Sequence, residues 1–280
     1  MNNSLKNFYK RHIRRHFDGS NGITKHDVNT TFPLYSPSSA GSYKDKATLT
    51  IQAVNQIFTS LSSLSEQVNG CGLHIQNIEE FAQTPEDHEA VGELKILLDF
   101  YGSDKANLHN YHYLYGVILK NKKNIKDIFE IGLGSNNKDV VSNMGRNGKP
   151  GASHRAFRDY CETAEIYGAD IDKRVLFQED RIHTFFVNQT EPATFEDIST
   201  LLPRDFDLVI DDGLHSPNAN INSLHFGLKI IRVGGWVVIE DIVAEAVPAW
   251  QVVAALLPKK FKSHIFKSKN AIVFAVERLK

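Results

Sequence analysis

The residues best suited to chemistry lie in two short runs towards the C-terminal end of the chain. Phe206-Asp207-Leu208-Val209-Ile210 leads directly into Asp211-Asp212-Gly213-Leu214-His215, and Gly234-Gly235-Trp236-Val237-Val238-Ile239 leads into Glu240-Asp241. In both, an apolar run of strand length ends in carboxylates, as expected of a buried strand that delivers acid groups at its carboxyl end. Neighbouring strands lie about 4.8 Å apart. If these two are neighbours, Asp212 and Asp241 can reach one hard cation, whose oxygen ligands sit about 2.0–2.6 Å away. Without a cation the two carboxylates would repel, each raising the pKa of the other. His215, three residues past Asp212, would stand beside that cation. The plainer alternative is that Asp211 and Asp241 cap helices and His215 is one of twelve ordinary histidines. That reading suits any one residue better than the whole set.

A second group points to a nucleotide-like ligand. Glu130-Ile131-Gly132-Leu133-Gly134 follows an apolar run, and glycines there let the backbone turn sharply and approach a ligand. No third glycine follows at dinucleotide-binding spacing; a polar stretch over 135–150 intervenes before Gly151-Ala152-Ser153 opens a helix. Asp170, in Gly168-Ala169-Asp170-Ile171-Asp172, stands where a carboxylate accepts hydrogen bonds from a ribose diol. Asp172 reads as a helix cap. Asn188 and Gln189 are amides able to read a nucleobase edge.

The elements that must position these groups follow a regular rhythm from residue 127 onward. Strands are expected at 127–131, 165–169, 183–187, 206–210 and 236–239, with helices at 153–161, 193–201, 218–232 and 248–256. That alternation implies right-handed βαβ crossovers and a parallel sheet covered on both faces. Runs at 261–266 and 271–276 are too close for a crossover and form an antiparallel hairpin. The expected fold is α/β: a Rossmann-like, mostly parallel seven-stranded sheet with helices on both faces and a C-terminal antiparallel hairpin. A domain at 95–280 carries it, after a helical and loop extension at 1–94. In the extension, residues 4–17 read as a short basic helix and 18–42 as loop. Ala47, Ile51, Val54, Phe58, Leu61 and Val68 form one apolar stripe of a helix, which could seal a homo-oligomer or pack on the chain's own core. Asn69-Gly70 ends that helix.

Composition narrows the class further. The 280 residues are 41% hydrophobic and 23% charged, which excludes collagen, wholesale disorder and a coiled-coil rod. A net charge of −1 offers no global attraction to nucleic acid or anionic membrane. The two cysteines, Cys71 and Cys161, form neither a metal motif nor a disulfide framework, which fits a reducing compartment. The most apolar region, 230–257, is broken by Arg232, Glu240, Asp241 and Glu245, so no membrane span is expected. The N-terminus lacks the apolar core of a secretion signal. A soluble, cytoplasmic protein is the expectation.

Taken together, residues 95–280 resemble the class I S-adenosylmethionine-dependent methyltransferases. The E-x-G-x-G turn, the Asp after the second strand and the terminal hairpin are general marks of that family. IDDGLH followed by VGGWVVIEDI is more specific. It is similar to the metal-dependent sugar O-methyltransferases that methylate macrocin and mycinamicin, as are PGASHRAFRDY and the segment Tyr101-Gly102-Ser103-Asp104-Lys105 with His109-Asn110-Tyr111. The resemblance implies that Glu130, Gly132 and Gly134 lie along the methionine portion of S-adenosylmethionine, Asp170 holds the ribose, and Asn188 and Gln189 lie near adenine. Ser153 and Asp211 belong to the same cofactor-contacting set. Asp212 and Asp241 would bind Mg²⁺, with His215 as general base and Asp212 as its catalytic neighbour.

The implied reaction moves a methyl group from S-adenosylmethionine to a hydroxyl of a sugar or glycan, in a polysaccharide or natural-product pathway. A bound Mg²⁺ would orient the hydroxyl, and His215 would take its proton. One rival is a nicotinamide-dependent sugar dehydrogenase or epimerase, although Tyr101 and Lys105, its only Tyr-x-x-x-Lys candidate, precede the first expected strand of the sheet. Another is a non-catalytic scaffold subunit, which would have no use for clustered carboxylates. A catechol or phosphorylated acceptor is a third alternative. Nothing in the first ninety residues names a substrate.

Overall fold

The computed structural model describes residues 43–69 and 73–280. The basic helix expected over 4–17 and the loop over 18–42 lie outside the described residues. The chain divides into two units, Met1–Val68 and Asn69–Lys280. In the first, helix α1 (Tyr43–Asn69) spans the expected stripe and stops at the Asn-Gly signal. Ile51, Phe58, Leu61 and Val68 of that stripe are exposed.

The second unit is built on strands β1 (Ile75–Asn77), β2 (Asp127–Ile131), β3 (Glu165–Asp170), β4 (Gln178–Glu179), β5 (Ile182–Phe186), β6 (Phe206–Asp211), β7 (Ile231–Ile242), β8 (Phe261–Lys267) and β9 (Ile272–Arg278). They form one sheet in the order β1-β8-β9-β7-β6-β2-β3-β5-β4. All seven expected strands are present. The sheet has nine because β1 pairs parallel to β8 at one edge and β4 antiparallel to β5 at the other. These additions are three and two residues long and exposed throughout, so they carry no apolar alternation to read. The pairs β2–β3, β2–β6, β3–β5 and β6–β7 are parallel, whereas β7–β9 and β8–β9 are antiparallel.

Strand side chains alternate between two buried faces. Ile128, Ile166, Leu208 and Val238 belong to one core; Phe129, Val209, Val237 and Phe274 belong to the other. Helices α6 (Pro192–Ser199), α7 (Pro217–Ile230) and α8 (Val247–Leu256) cover the second face with Phe195, Ile198, Leu224, Phe226 and Trp250. The first face is covered by α2 (Pro85–Tyr101), α4 (His112–Leu119) and α5 (Ala152–Tyr160), with the short α3 (Asp104–Asn107) between the first two. Thr84 starts α2 with a reciprocal capping box to Asp87, Pro85 occupies its first turn, and Gly102 ends it in the left-handed conformation. Leu94 and Leu98, one turn apart, are both fully buried against the sheet. A boundary between 94 and 95 therefore falls inside a continuous packed helix, and the sheet's own unit begins at Asn69.

Buried histidines give this core a pH dependence, and His112, His154 and His264 are all held below the usual imidazole pKa by burial. Burial pushes the imidazoles of His112 and His264 down to about 4, and one nitrogen of each has no hydrogen-bond partner. His264 stacks on Phe266. An unfolded histidine takes up its proton near pH 6.5. The stability these neutral rings contribute is therefore complete above about pH 6.5 and is lost as pH falls towards 4, by roughly 2 kcal/mol each at pH 5. Thermal melts at pH 7.5 and 5 are expected to show a clear drop in midpoint. An equal midpoint at both would contradict the neutral buried state.

Candidate active site

The chain leaves β2 for β3 and β5 on one side and later for β6 and β7 on the other, so the strand order reverses at β2. In an open α/β sheet, ligands sit in the crevice beyond the carboxyl ends of the strands at that reversal. A cavity of about 960 Å³ lies there. Its wall includes Gly132, Gly134, Ser153, Asp170, Asn188, Gln189, Asp212, His215 and Asp241.

The acidic side of the cavity is set by β6 and β7, which are neighbours with Asp211 opposite Ile239. His215 Nε2 lies 4.0 Å from Asp212 Oδ1 and 3.7 Å from Asp241 Oδ2. One ligand atom from each of the three falls within 4.8 Å of the others. His215 and Asp241 both adopt left-handed backbone conformations, with φ of 55° and 54°. Non-glycine residues held there cost energy and gather at functional sites. Gly132 (φ 105°) lets the turn after β2 press on this cluster: a Cβ on it would lie 2.0 Å from the Asp212 carbonyl oxygen. Gly132→Ala is therefore expected to displace Asp212 and lower activity with it.

Behind these residues is a buried charge cluster that the spacing did not reveal. Lys105 is 1% exposed, and its Nζ lies 2.6 Å from Asp212 Oδ2, 2.5 Å from Glu240 Oε2 and 3.2 Å from Glu130 Oε1. Burial opposes its charge, but these three carboxylates prevail and hold the amine well above its usual pKa. Tyr115 donates to Glu240 Oε1 and Tyr111 to Asp241 Oδ1. Burial, with the neighbouring carboxylates, keeps both phenols protonated far above their ordinary range. Glu130, Asp212 and Glu240 thus surround one ammonium, and burial among these charges raises the Glu240 carboxyl well above its usual pKa; a divalent cation beside Asp212 and Asp241 would offset their charge. Glu240 is the further carboxylate of this cluster. Its position directly before Asp241 was visible, but only the fold shows that Lys105 ties it to Asp212.

On the glycine-turn side, several side chains stand differently from the expectation. Glu130 is fully buried beneath the turn, accepting from Ser153 Oγ and contacting His154 as well as Lys105, and it is not part of the cavity wall. Asp211 is also behind the wall, because successive strand residues point to opposite faces. It accepts from Gln189 Nε2, its Oδ2 has no partner, and burial raises its carboxyl to about 6. Gln189 reaches the wall with its amide already engaged: Nε2 bonds Asp211 and Ser223, and Oε1 accepts from Leu214 N–H. It clamps the loop after β6. Asn188 Oδ1 accepts from Thr190 in a local turn.

Asp170 lines the cavity and braces the glycine turn, accepting from the N–H groups of Leu133, Gly134 and Asp172. Asp172 caps the turn that follows through Arg174 N–H, and the Arg174 guanidinium holds its carboxyl well below the usual range. The 135–150 stretch folds over the glycine turn, with Met144 against Gly134 and Arg174 joined to Asp139 at 3.0 Å. Tyr101 and Lys105 serve separate places: the Tyr101 hydroxyl donates to Asp159, while Lys105 sits among the carboxylates. The dehydrogenase pairing is therefore absent.

No family model matches the chain. It is 28% identical over 152 residues to the 8-demethyl-8-α-L-rhamnosyl tetracenomycin-C 2′-O-methyltransferase of Streptomyces olivaceus, covering 54% of this chain and 38% of the relative. It is 34% identical over 92 residues to the demethylmacrocin O-methyltransferase of Streptomyces fradiae, covering 33% and 23%. The chain thus spans well under half the length of these relatives. Among solved structures, it aligns with the MycE methyltransferase of the mycinamycin pathway in complex with Mg, S-adenosylhomocysteine and mycinamycin VI. That alignment has a TM-score of 0.51 and 21% identity, over 86% of this chain and 64% of the other. The fold is that of the class I S-adenosylmethionine-dependent methyltransferases. In sequence, the chain is similar to sugar O-methyltransferases of the macrocin and tetracenomycin type.

Proposed function

We propose that the chain is a metal-dependent O-methyltransferase that moves the methyl group of S-adenosylmethionine to a hydroxyl of a sugar. The observation that carries this reading is the convergence of Asp212 Oδ1, Asp241 Oδ2 and His215 Nε2 in the same cavity as the glycine turn. Gly132 and Gly134 would admit the methionine portion, Ser153 would lie at its side, and Asp170 would receive the ribose, with Asn188 towards the adenine. Asp212 and Asp241 would hold a divalent cation, which supplies orientation of the hydroxyl and stabilisation of its developing negative charge. An aliphatic hydroxyl is a poor nucleophile until its proton is removed. His215 stands in the cavity wall beside both carboxylates, and its Nε2 would accept that proton. The cavity wall would hold the acceptor oxygen in line with the methyl carbon, replacing a bimolecular encounter by fixed geometry.

The named relatives favour a glycoside of a natural product over a catechol as the acceptor. The test is transfer from methyl-labelled S-adenosylmethionine to a panel of rhamnosides, other deoxyhexosides and catechols, with and without chelator. A singly methylated glycoside formed only with free divalent cation is expected. Transfer to catechols alone would move the acceptor class.

Among the described residues no helix is long and apolar enough to cross a membrane, and Cys161 is a buried free thiol. Both suit work in the cytoplasm. The exposed stripe of α1 would join two copies, so light scattering should give a dimer for the full chain and a monomer for a chain starting at Asn69. The same number of subunits in both would exclude α1 as the seam.

A further inference from the structure

The carboxylates of the cation cluster do not present both oxygens to the cavity. Asp212 gives Oδ2 to Lys105 and keeps Oδ1 towards His215. Asp241 gives Oδ1 to the Tyr111 hydroxyl, with His109 Nδ1 3.5 Å from the same oxygen, and keeps Oδ2 towards His215. The Tyr111 oxygen also lies 3.4 Å from the Asp241 amide N–H, so one phenol meets both the side chain and the backbone of a residue held in the left-handed conformation. Tyr111 is 1% exposed, and the His109 ring stacks on it with centroids 5.0 Å apart. An isolated aspartate on a strand end would rotate about χ1 and χ2. Here one oxygen is held from behind while the other faces His215.

Resting on the methyltransferase reading above, we propose that Tyr111 is a positioning residue for the cation. It holds Asp241 so that Oδ2 converges with Asp212 Oδ1 and His215 Nε2, while Lys105 performs the matching task for Asp212. Partners that orient a ligating group change metal affinity by about 10–100-fold when removed. Tyr111→Phe deletes one oxygen without altering charge or the stack on His109, which makes it a clean probe. Tyr101→Phe, which loses the bond to Asp159, is the control.

The experiment is calorimetric titration of Mn²⁺ into wild type and both variants, each saturated with S-adenosylhomocysteine, followed by activity across a Mn²⁺ series. The proposal expects Tyr111→Phe to bind the cofactor product as wild type does, to bind Mn²⁺ at least about tenfold more weakly, and to regain activity as Mn²⁺ is raised. Tyr101→Phe should match wild type. Unchanged Mn²⁺ affinity in Tyr111→Phe, with wild type binding the ion, overturns the positioning role alone. If wild type itself binds no Mn²⁺, the cation reading falls and the positioning role with it.

Discussion

The His215→Ala protein is expected to lose methyl transfer by about 10²–10⁴-fold, the usual worth of a positioned general base, while binding S-adenosylhomocysteine with near wild-type affinity. The two readouts separate because His215 stands on the carboxylate side of the cavity, 3.7 Å from Asp241, whereas the glycine turn and Asp170 form the other side. Its backbone is left-handed, so alanine there adds strain of order 1–3 kcal/mol to the loss of the imidazole. His215→Asn distinguishes the two effects, because asparagine tolerates positive φ and offers no comparable base. Both variants should be equally inactive in single-turnover transfer. Turnover retained in either would remove His215 as the proton acceptor.

Asp241→Asn is expected to weaken divalent-cation binding by at least about 100-fold and to abolish transfer at physiological cation levels. The substitution keeps the side chain's shape and an oxygen able to accept from Tyr111, so the β7 end should stay in place. What it removes is one negative charge from the two carboxylates that converge on His215, of which Asp212 alone is paired with Lys105. The variant should bind S-adenosylhomocysteine normally and ignore chelator. Full cation-dependent activity in Asp241→Asn would show that the ion, if used, is held elsewhere.

Much of this architecture is written in local pattern. The strands β2, β3, β5, β6 and β7 are apolar runs bounded by turn residues, and their carboxyl ends carry Gly132, Asp170, Asp212 and Asp241 as expected. The hairpin of β8 and β9 was legible because four residues cannot hold a crossover helix. What the pattern concealed has physical reasons. Helix α2 packs on one face of the sheet, yet its first ten residues lie within the expected 1–94 extension. The Thr84-Pro85-Glu86-Asp87 capping signal was the available clue.

Side-chain orientation was the harder matter. Glu130 and Asp211 sit at strand ends beside cavity residues, but the strand's period of two turns their side chains away from it. Gln189 has the chemistry to read a base, and its amide is instead spent on Asp211, Ser223 and Leu214. Lys105 enters the sequence reading as the end of the Tyr101–Lys105 segment and as half of a Tyr-x-x-x-Lys pair, and neither points to a buried ion pair. Its contacts reach residues 107 and 135 positions away, a separation no local spacing encodes.

The most direct test of the central claim is calorimetric titration of S-adenosylhomocysteine into chelator-treated protein, repeated after adding Mg²⁺. A cavity of this size beside a glycine turn and the Asp170 carboxylate should bind the cofactor product with micromolar affinity, and Mg²⁺ should alter the binding heat through the acid cluster. Absence of binding in both conditions, by protein shown to be folded, would contradict the methyltransferase account.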